Sequence, residues 1–371
     1  MLCCGDMYST FGHNFRITTF GESHGTGVGV VVDGCPAGLG FDLARVQQAL
    51  NRRRPGQSRF TTPRDESDRV AVQSGIQEGR TLGTPISLFV ANRDQRPGDY
   101  ASMDTAPRPS HADYTYLMKY GLKARSGGGR ASARETIGRV AGGAVAEMLL
   151  EHFGVRCVAW VSSVGASDGA VVVPEEMTRE LVDASPVRCP DPAAAARIEK
   201  EIEAALADND SVGGIVTCVC TGVPAGWGEP VFGKLDAMLA QAMLSIPACK
   251  GFEVGAGFLA ARSRGSCMND AFRMGGDGRL RTLTNNSGGI QGGISNGETI
   301  IFRAAFKPAA TIGRVQQTVD YAGKSLQFEC VGRHDPCVLP RAVPIVEAMT
   351  QLVLADAALM QQRHPLRGQT E

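Results

Sequence analysis

The sequence lacks the spacings through which cysteine and histidine bind a metal ion. Its 371 residues include 11 cysteines, yet there is no Cys-x-x-Cys pair and no histidine at ligand spacing beside them. No His-x-x-x-His or His-x-x-Glu-His pattern is present either. We therefore expect no metal site, and the odd number of cysteines favours reduced thiols in a compartment of the cytosolic type.

An excess of charge of either sign is also missing. The 38 basic and 38 acidic residues give a net charge of zero, which argues against a domain that binds nucleic acid or a membrane surface as a whole. Lysine is scarce, with 7 residues against 31 arginines. Arginine is the better bidentate partner for carboxylate and phosphate, although codon bias would produce the same excess.

Long apolar runs and targeting signals are absent as well. No apolar run reaches the length expected of a membrane span, and residues 1–9 are too short and polar for a signal peptide. We expect a cytoplasmic protein, or a plastid protein if a presequence has been removed. Residues 167–192, rich in Asp, Pro and Ser, are interpreted as an insertion because glycine-rich motifs lie on both sides of them.

The apolar pattern predicts a mixed architecture. Segments rich in β-branched residues with Gly or Pro at their borders predict strands at 28–33, 69–76, 155–164, 214–222 and 299–306. Helical spacing predicts helices at 43–53, 135–153, 193–207, 235–244 and 343–360, with Pro344 in the first turn of the last. Strands and helices do not alternate strictly, so an α+β fold is favoured over a doubly wound sheet.

The most informative segment is Ser126-Gly-Gly-Gly-Arg-Ala-Ser-Ala-Arg-Glu-Thr136. Its glycines let the backbone approach a ligand closely. Ser132 stands three residues before Glu135, which is the spacing of a capping box at a helix start. Backbone amides, the positive helix end and the guanidiniums of Arg130 and Arg134 would meet there, which predicts an anion site suited to phosphate. The alternative is a flexible turn with solvated arginines.

A second motif, Thr19-Phe-Gly-Glu-Ser-His-Gly25, places His24 between small residues. Its imidazole can exchange a proton near neutral pH, and Ser23 could relay one; the alternative is a structural histidine in a turn. Gly21 to Gly25 also fits Gly-x-Ser-x-Gly. A strand-like run follows instead of a helix, which weakens the interpretation of the protein as a serine hydrolase with Ser23 as its nucleophile.

Two further motifs concentrate arginine. Asn51-Arg-Arg-Arg-Pro-Gly-Gln-Ser-Arg59 predicts a positive patch that either faces solvent or binds a polyanionic small substrate. Arg108-Pro-Ser-His-Ala-Asp-Tyr114 holds His111 in a rigid loop between Arg108 and Asp113, which favours general acid chemistry.

Glycine-rich and proline-containing loops complete the set. Asn285-Asn-Ser-Gly-Gly-Ile-Gln-Gly-Gly-Ile-Ser-Asn-Gly297 and Phe306-Lys-Pro-Ala-Ala-Thr311 offer hydrogen bonds to a planar heterocycle with a phosphate tail. Gly332-Arg-His-Asp-Pro-Cys337 offers Asp335 as a base and Arg333 as an anion clamp.

Taken together, these motifs resemble those of the chorismate synthase family. Gly-Glu-Ser-His-Gly, Arg-Pro-Ser-His-Ala-Asp-Tyr, Gly-Gly-Gly-Arg-Ala-Ser-Ala-Arg-Glu-Thr, Gly-Gly-Ile-Ser-Asn-Gly and Gly-Arg-His-Asp-Pro occur in the family's order. The resemblance covers about residues 9–359, with Ala131 standing where serine is common. We therefore expect a leader at 1–8, a single catalytic domain at 9–360 and a tail at 361–371.

The resemblance implies a β-α-β sandwich, in which two antiparallel sheets enclose long helices, and a homotetramer. It implies a phospholyase that removes phosphate and a C6 hydrogen from 5-enolpyruvylshikimate 3-phosphate by 1,4-elimination, giving chorismate. This is the last step of the shikimate pathway, and it needs reduced FMN without net redox change. Neither a membrane nor a nucleic acid is expected as partner.

The resemblance also implies roles for individual residues. His24 would donate a proton near the leaving phosphate, His111 would protonate reduced flavin, and Asp335 with Ser23 would relay the C6 proton. The substrate would be bound by Arg53, Arg54, Arg59, Arg108, Arg134 and Arg333. FMN would be bound by Arg130, Ala131, Ser132, Pro247, Ala248, Gly292, Lys307, Pro308, Ala309, Ala310, Thr311 and Arg333.

Two alternatives and one choice stay open at this point. A non-catalytic anion-binding protein would use the arginines and glycine loops but needs no titrating His and Asp groups. A serine hydrolase would be labelled at Ser23 and act without flavin. Some family members reduce FMN with NADPH themselves and others depend on an external reductant, and these residues do not choose between them.

Overall fold

The computed structural model describes residues 8–60, 67–92, 106–122, 128–169, 172–276, 278–330 and 335–363. Its strands are β1 (Thr10–Phe11), β2 (Arg16–Gly21), β3 (Gly27–Asp33), β4 (Val70–Ser74), β5 (Ile76–Gln77), β6 (Arg80–Thr81), β7 (Ile86–Ala91), β8 (Arg156–Val164), β9 (Ser167–Asp168), β10 (Gly214–Thr221), β11 (Cys249–Val254), β12 (Phe272–Met274), β13 (Leu280–Thr282), β14 (Ile290–Gln291), β15 (Ile294–Ser295), β16 (Ile300–Phe306), β17 (Gln316–Val319) and β18 (Ser325–Phe328). Its α-helices are α1 (Leu43–Arg53), α2 (Asp113–Tyr120), α3 (Thr136–Leu150), α4 (Arg179–Asp183), α5 (Pro192–Ala207), α6 (Leu235–Leu244), α7 (Gly265–Met268) and α8 (Leu339–Gln361).

Two five-stranded antiparallel sheets form the outer layers. The first has the order β1-β2-β3-β7-β4, and the second has the order β11-β16-β10-β8-β9. In β2 and β7 buried and more exposed positions alternate, as expected when one face of a sheet covers the core. The alternation places Ile17 and Thr19 on the inner face of β2.

Helices α3 and α8 lie between the two sheets. Glycines on α3 permit the close approach: an added Cβ at Gly138 would stand 2.9 Å from Thr19 Cγ2, and one at Gly142 would stand 2.9 Å from Ile17 Cγ2. On the opposite side, a Cβ at Gly143 would stand 2.4 Å from Ala348 Cβ of α8. Helix α8 in turn reaches the second sheet, where Glu347 accepts the Ala159 N–H at 3.1 Å. The β-α-β sandwich expected from the resemblance is therefore confirmed.

Helix α8 corrects two expectations. It begins at Leu339, so Pro340 occupies its first turn and Pro344 lies inside the helix. Among the described residues, α8 is also the one helix that is long and apolar enough to cross a membrane. The sequence had been expected to contain no such run. Because 89% of the most apolar window of α8 is buried within the protein, its composition is that of a core helix enclosed by other elements.

The remaining predicted elements agree with the structure to within a few residues. Helices α1 and α6 have the predicted bounds, and the strands predicted at 155–164 and 214–222 are β8 and β10. The segment predicted as one strand at 69–76 divides into β4 and the beginning of β5. Strands β2 and β7 were not predicted. Both pair with β3 in the first sheet.

Candidate active site

The loop of residues 22–26, called here the His24 loop, joins β2 to β3 at the edge of the sandwich. Ser23 is buried and its Oγ lies 3.0 Å from Nδ1 of His24. Strand β3 follows the loop directly, as the sequence indicated, so the Gly-x-Ser-x-Gly pattern does not form the strand-to-helix turn of a serine hydrolase. The hydroxyl and the imidazole are thus paired at a tight turn.

Asp68 holds two of the predicted substrate arginines. Its Oδ2 accepts from Nη2 of Arg53 at 2.7 Å and its Oδ1 accepts from Nη1 of Arg134 at 3.1 Å, with the Asp68 side chain fully buried. We call Arg53, Asp68 and Arg134 the Asp68 cluster. Burial, opposed by the charge of Asp68, lowers the pKa of Arg53 to about 10, so this guanidinium stays charged at neutral pH.

A second group, the Asp113 cluster, consists of Arg108, His111 and Asp113. Arg108 donates to both carboxylate oxygens of Asp113 at 2.7 and 2.8 Å, and Nδ1 of His111 lies 2.9 Å from Oδ1. Burial acts to raise the pKa of Asp113, but the hydrogen bonds from Arg108 and His111 hold it well below its usual range. The ionised carboxylate therefore orients the imidazole through Nδ1, which turns Nε2 away from Asp113.

Residues 128–134, the glycine-arginine segment, run between the two clusters. At its beginning, Gly128 has φ +94°, and an added Cβ would stand 3.3 Å from Cε1 of His111. In its middle, Arg130 donates to the carbonyl oxygens of Thr19 and Gly21 at the end of β2. At its end, Arg134 enters the Asp68 cluster. One short segment thus brings the histidine of the Asp113 cluster, the end of β2 and the arginines of the Asp68 cluster into one region.

The predicted capping box within this segment is wrong. Ser132 Oγ accepts from the N–H of Arg134, not of Glu135, and a 3-10 helix of residues Ala133–Glu135 precedes α3. The Glu135 carboxylate accepts instead from Thr19 at 2.8 Å and from Arg139 at 2.8 Å. Glu135 thereby ties the start of α3 to β2, because its side chain finds tertiary partners that a local cap could not offer.

Asp335 joins the same region through an arginine. Nη1 of Arg341 donates to Oδ2 of Asp335 at 2.6 Å, and Nε of Arg341 lies 3.3 Å from the carbonyl oxygen of Arg53. In the part of the chain that the structure describes, Ser23 makes no hydrogen bond to Asp335. Arg333, expected beside Asp335, lies outside the described residues.

The predicted arginine patch at 51–59 does not face one direction. Arg53 is only 1% exposed, whereas the Arg59 side chain is 69% exposed and pairs with Glu203 at 2.8 Å on α5. Arg52 is engaged by Asp183 and Glu347. Arg54 is half-buried at the end of α1, where its N–H donates to the Leu50 carbonyl.

The residues expected to bind FMN form a partly connected surface. The Lys307 N–H donates to the Ala248 carbonyl at 2.9 Å, and Ala248 follows Pro247 with φ +69°. Further along the same loop, Ser211 Oγ donates to the Ala309 carbonyl at 2.8 Å, and Nη1 of Arg108 lies 3.4 Å from Oγ1 of Thr311. The loop that contains Pro308, Ala309 and Ala310 therefore spans from Ala248 to the Asp113 cluster.

Gly292 lies in a hairpin turn of its own. It forms the turn between β14 and β15 with φ +63°, and an added Cβ there would meet nothing within 4 Å. The positive φ of this turn accounts for glycine at the position. Ala131 and Ser132 belong to the glycine-arginine segment, and the half-buried Ala131 ends its first 3-10 turn.

Sequence reasoning missed Asp68 and Asn92. Asp68 is separated by 15 and 66 residues from its two arginine partners, and Asn92 contacts a loop about 70 residues away. Neither belongs to a motif with its partners. Arg53, by contrast, could have been placed, because helical spacing sets it on the same buried face as Val46 and Leu50.

A cavity of about 280 Å³ lies beside this region. It is bounded by the end of α1, residues 183–188 and the start of α8, with Arg52, Arg188 and Arg341 in its lining. Arg188 donates to the Pro340 carbonyl, the Arg52 carbonyl and Gln57. Within the described residues, no group of three or more His, Cys, Asp or Glu side chains could hold a metal ion.

The fold and this arrangement define an α+β protein in which buried arginines lie near two loops that each carry a histidine. Comparison with known proteins agrees. The family model described as chorismate synthase matches residues 15–359.

Curated relatives match over nearly their whole length. A chorismate synthase of Synechococcus sp. (strain RCC307) is 57% identical over 96% of this chain and 99% of its own, and one of Prochlorococcus marinus subsp. pastoris (strain CCMP1986 / NIES-2087 / MED4) is 54% identical over 96% and 98%. A crystal structure of chorismate synthase matches with a TM-score of 0.74 and 31% identity, covering 94% of this chain and 93% of that one. The chain belongs to the chorismate synthase family.

The activity follows from this membership. The protein is a phosphate lyase that converts 5-enolpyruvylshikimate 3-phosphate to chorismate, at the end of the shikimate pathway that leads to aromatic amino acids. The family uses reduced FMN, without net redox change. The expected enzyme class and reaction are confirmed, and the serine hydrolase and the non-catalytic binder are set aside.

Proposed function

We propose that the Asp68 and Asp113 clusters bind and orient the substrate and FMN. The His24 loop and the Asp113 cluster transfer the protons. The observation that carries this proposal is the glycine-arginine segment, which passes so close to His111 at one end that an added Cβ at Gly128 would stand 3.3 Å from its ring, and which belongs to the Asp68 cluster at the other end. The substrate has two carboxylates and a phosphate, for which arginine is the best-matched partner. Arg134, Arg53 and Arg108 are therefore assigned to substrate binding, with Arg54, Arg59 and Arg333 as further ligands of the same anion.

His24 is assigned to the phosphate that leaves. As the bond between carbon and the phosphate oxygen breaks, negative charge grows on that oxygen, and a proton from the imidazole stabilises it. Ser23 contacts Nδ1 and orients the ring. Asp335, held by Arg341, is assigned with Ser23 to receiving the proton that comes from C6.

His111 is assigned to the cofactor side of the site. Asp113 fixes its Nδ1, and among the described residues no side chain or backbone group hydrogen-bonds to Nε2. This nitrogen could therefore hold a proton toward a bound ligand. The role of Asp113 is to keep the imidazole in one orientation.

The residues present fit FMN. The pKa of Lys307 is lowered by burial and by the positive charge of Lys250, so two ammonium groups lie near each other where a phosphate tail would balance them. The backbone of 307–311, Pro247 and Ala248, Gly292 and residues 130–132 would supply the remaining contacts. When bound, reduced FMN supplies the electron that the family's reaction lends to the substrate.

Substitution of the two histidines tests this proposal. His24→Ala and His111→Ala should each lower turnover by about 10²-fold or more, the scale of general acid–base catalysis. The measurement is phosphate release under anaerobic conditions with saturating, chemically reduced FMN. His152→Ala is a matched control, because this exposed histidine hydrogen-bonds to the Met148 carbonyl on α3 and belongs to neither cluster. Wild-type turnover in both variants would contradict the two-acid scheme.

We further propose that the protein is a homotetramer whose catalytic domain spans residues 9–360. An apolar surface supports association: Phe272, Met274 and Leu280 share one hairpin of β12 and β13, and all are exposed, as is Phe258. Sedimentation analysis tests the assembly, and Phe272→Ser with Met274→Ser should shift it toward smaller species.

A cytoplasmic location is proposed as well, since the nine described cysteines are all free thiols.

NADPH is proposed as one source of electrons for the flavin. Aerobic turnover with FMN and NADPH as the only reductant supports that assignment, and turnover that needs an added reductase or dithionite contradicts it.

A further inference from the structure

Asn92 makes an unusual set of contacts for a residue outside every motif of the site. It follows the last residue of β7, and its backbone N–H donates to the Thr26 carbonyl at 3.1 Å. Its side-chain nitrogen lies 2.9 Å from the carbonyl oxygen of Glu22, 3.3 Å from that of Ser23 and 2.8 Å from that of Gly25. One residue therefore contacts four of the five carbonyls of the His24 loop.

The oxygen of the same amide contacts an arginine of the Asp68 cluster. Nε of Arg134 donates to Oδ1 of Asn92. The orientation of the amide is determined by its partners, because three carbonyls require the NH₂ group and a guanidinium requires the oxygen. Asn92 thus links the His24 loop directly to Arg134.

We propose that Asn92 is a positioning residue, which fixes the separation between the His24 imidazole and the Arg134 guanidinium on the substrate. This inference rests on the roles given above to His24 and Arg134. Proton donation requires reacting atoms held near 3 Å, and a misplacement of about 1 Å can cost about 10²-fold in rate. A loop held only by its two strand ends would not meet that requirement, whereas four carbonyl contacts from a sheet residue do.

Asn92→Asp separates the two halves of the contact. The carboxylate keeps an oxygen for Arg134, but it places its second oxygen against three carbonyl oxygens that previously accepted hydrogen bonds. The His24 loop should move while Arg134 stays. We expect kcat to fall by about 10- to 10²-fold. Substrate affinity should fall as well, because the added negative charge partly neutralises Arg134. Affinity is measured as binding of substrate to the enzyme with oxidised FMN, which does not turn over.

Two comparisons separate positioning from general damage to the fold. Ser87→Ala, on the same strand, removes an exposed hydrogen bond to Gln73 and should leave kcat unchanged. In a His24→Gln background, Asn92→Asp should lower turnover by less than about twofold, because the group that it positions is already gone. Urea unfolding of each variant excludes loss of folded protein as the cause.

Three results would overturn the inference: wild-type kcat in Asn92→Asp, a loss confined to substrate affinity, or an equal loss of turnover with and without His24. Wild-type turnover in His24→Gln alone would contradict the proposed role of His24, which is a separate outcome. The double-mutant comparison therefore tells the two failures apart.

Discussion

The Asp68 cluster and the Asp113 cluster both pair a buried carboxylate with arginine, but their members lie at different distances along the chain. Asp113 finds both its partners within five residues, in one rigid loop. Asp68 joins Arg53 of α1 to Arg134 of the glycine-arginine segment, over 15 and 66 residues. The Asp113 cluster orients one histidine, whereas the Asp68 cluster holds separate elements together around the proposed anion site.

The two carboxylates differ in the number and burial of the charged groups that they neutralise. Asp113 neutralises one arginine and contacts one histidine that is 18% exposed. Asp68 neutralises two arginines, of which one is 1% exposed, and water cannot replace it there. Loss of Asp68 should therefore damage the fold, and loss of Asp113 should damage mainly the site.

Asp68→Asn is expected to give the largest effect. Removing the charge takes the carboxylate from two buried guanidiniums, and breaking a buried pair in this way costs about 3 to 5 kcal/mol. The free energy of unfolding in urea measures the loss. Asp33→Asn, which breaks the exposed pair with Arg16, serves as control and should cost less than about 1 kcal/mol. Equal losses in the two variants would erase the distinction drawn here.

Asp113→Asn should give a smaller loss with a distinct pH dependence. Charge-assisted hydrogen bonds of this kind contribute about 1.5 to 3 kcal/mol at neutral pH. Because the folded pKa of Asp113 is held below its ordinary value of 3.8, its contribution is present above that pH and is lost as the pH falls below it. The stability difference between wild type and variant should therefore shrink in acid. A difference that stays constant from neutral pH down to about pH 2 would show that the carboxylate does not titrate as described.

Arg59→Ala should give the smallest change in stability. Its side chain is largely exposed, and its pairs with Glu199 and Glu203 are screened by water, so less than about 1 kcal/mol is expected. Any larger effect of this substitution should appear in substrate affinity. A large loss of stability would place Arg59 among the buried arginines and contradict the division of the 51–59 patch.

The same contrast explains what the sequence could predict. Helix α1 and the Asp113 cluster follow from local patterns, since helical spacing and a rigid loop act over a few residues. Asp68 and Asn92 could not be predicted, because their roles depend on which strands pair and β7 was itself missed. Ser132 does cap the turn that begins at Ala133, but the Glu135 half of the capping box failed for the same reason, since the Glu135 side chain turns to Thr19 of β2. Local chemistry could be inferred directly, and tertiary partners required the fold.

The central claim is that the glycine-arginine segment brings both clusters to one shared site. A crystal structure with oxidised FMN and 5-enolpyruvylshikimate 3-phosphate tests it most directly. We expect the substrate phosphate within about 3 Å of Arg134 and of His24, with the flavin ring next to His111. Ligands bound instead in the cavity lined by Arg52 and Arg188 would contradict the account.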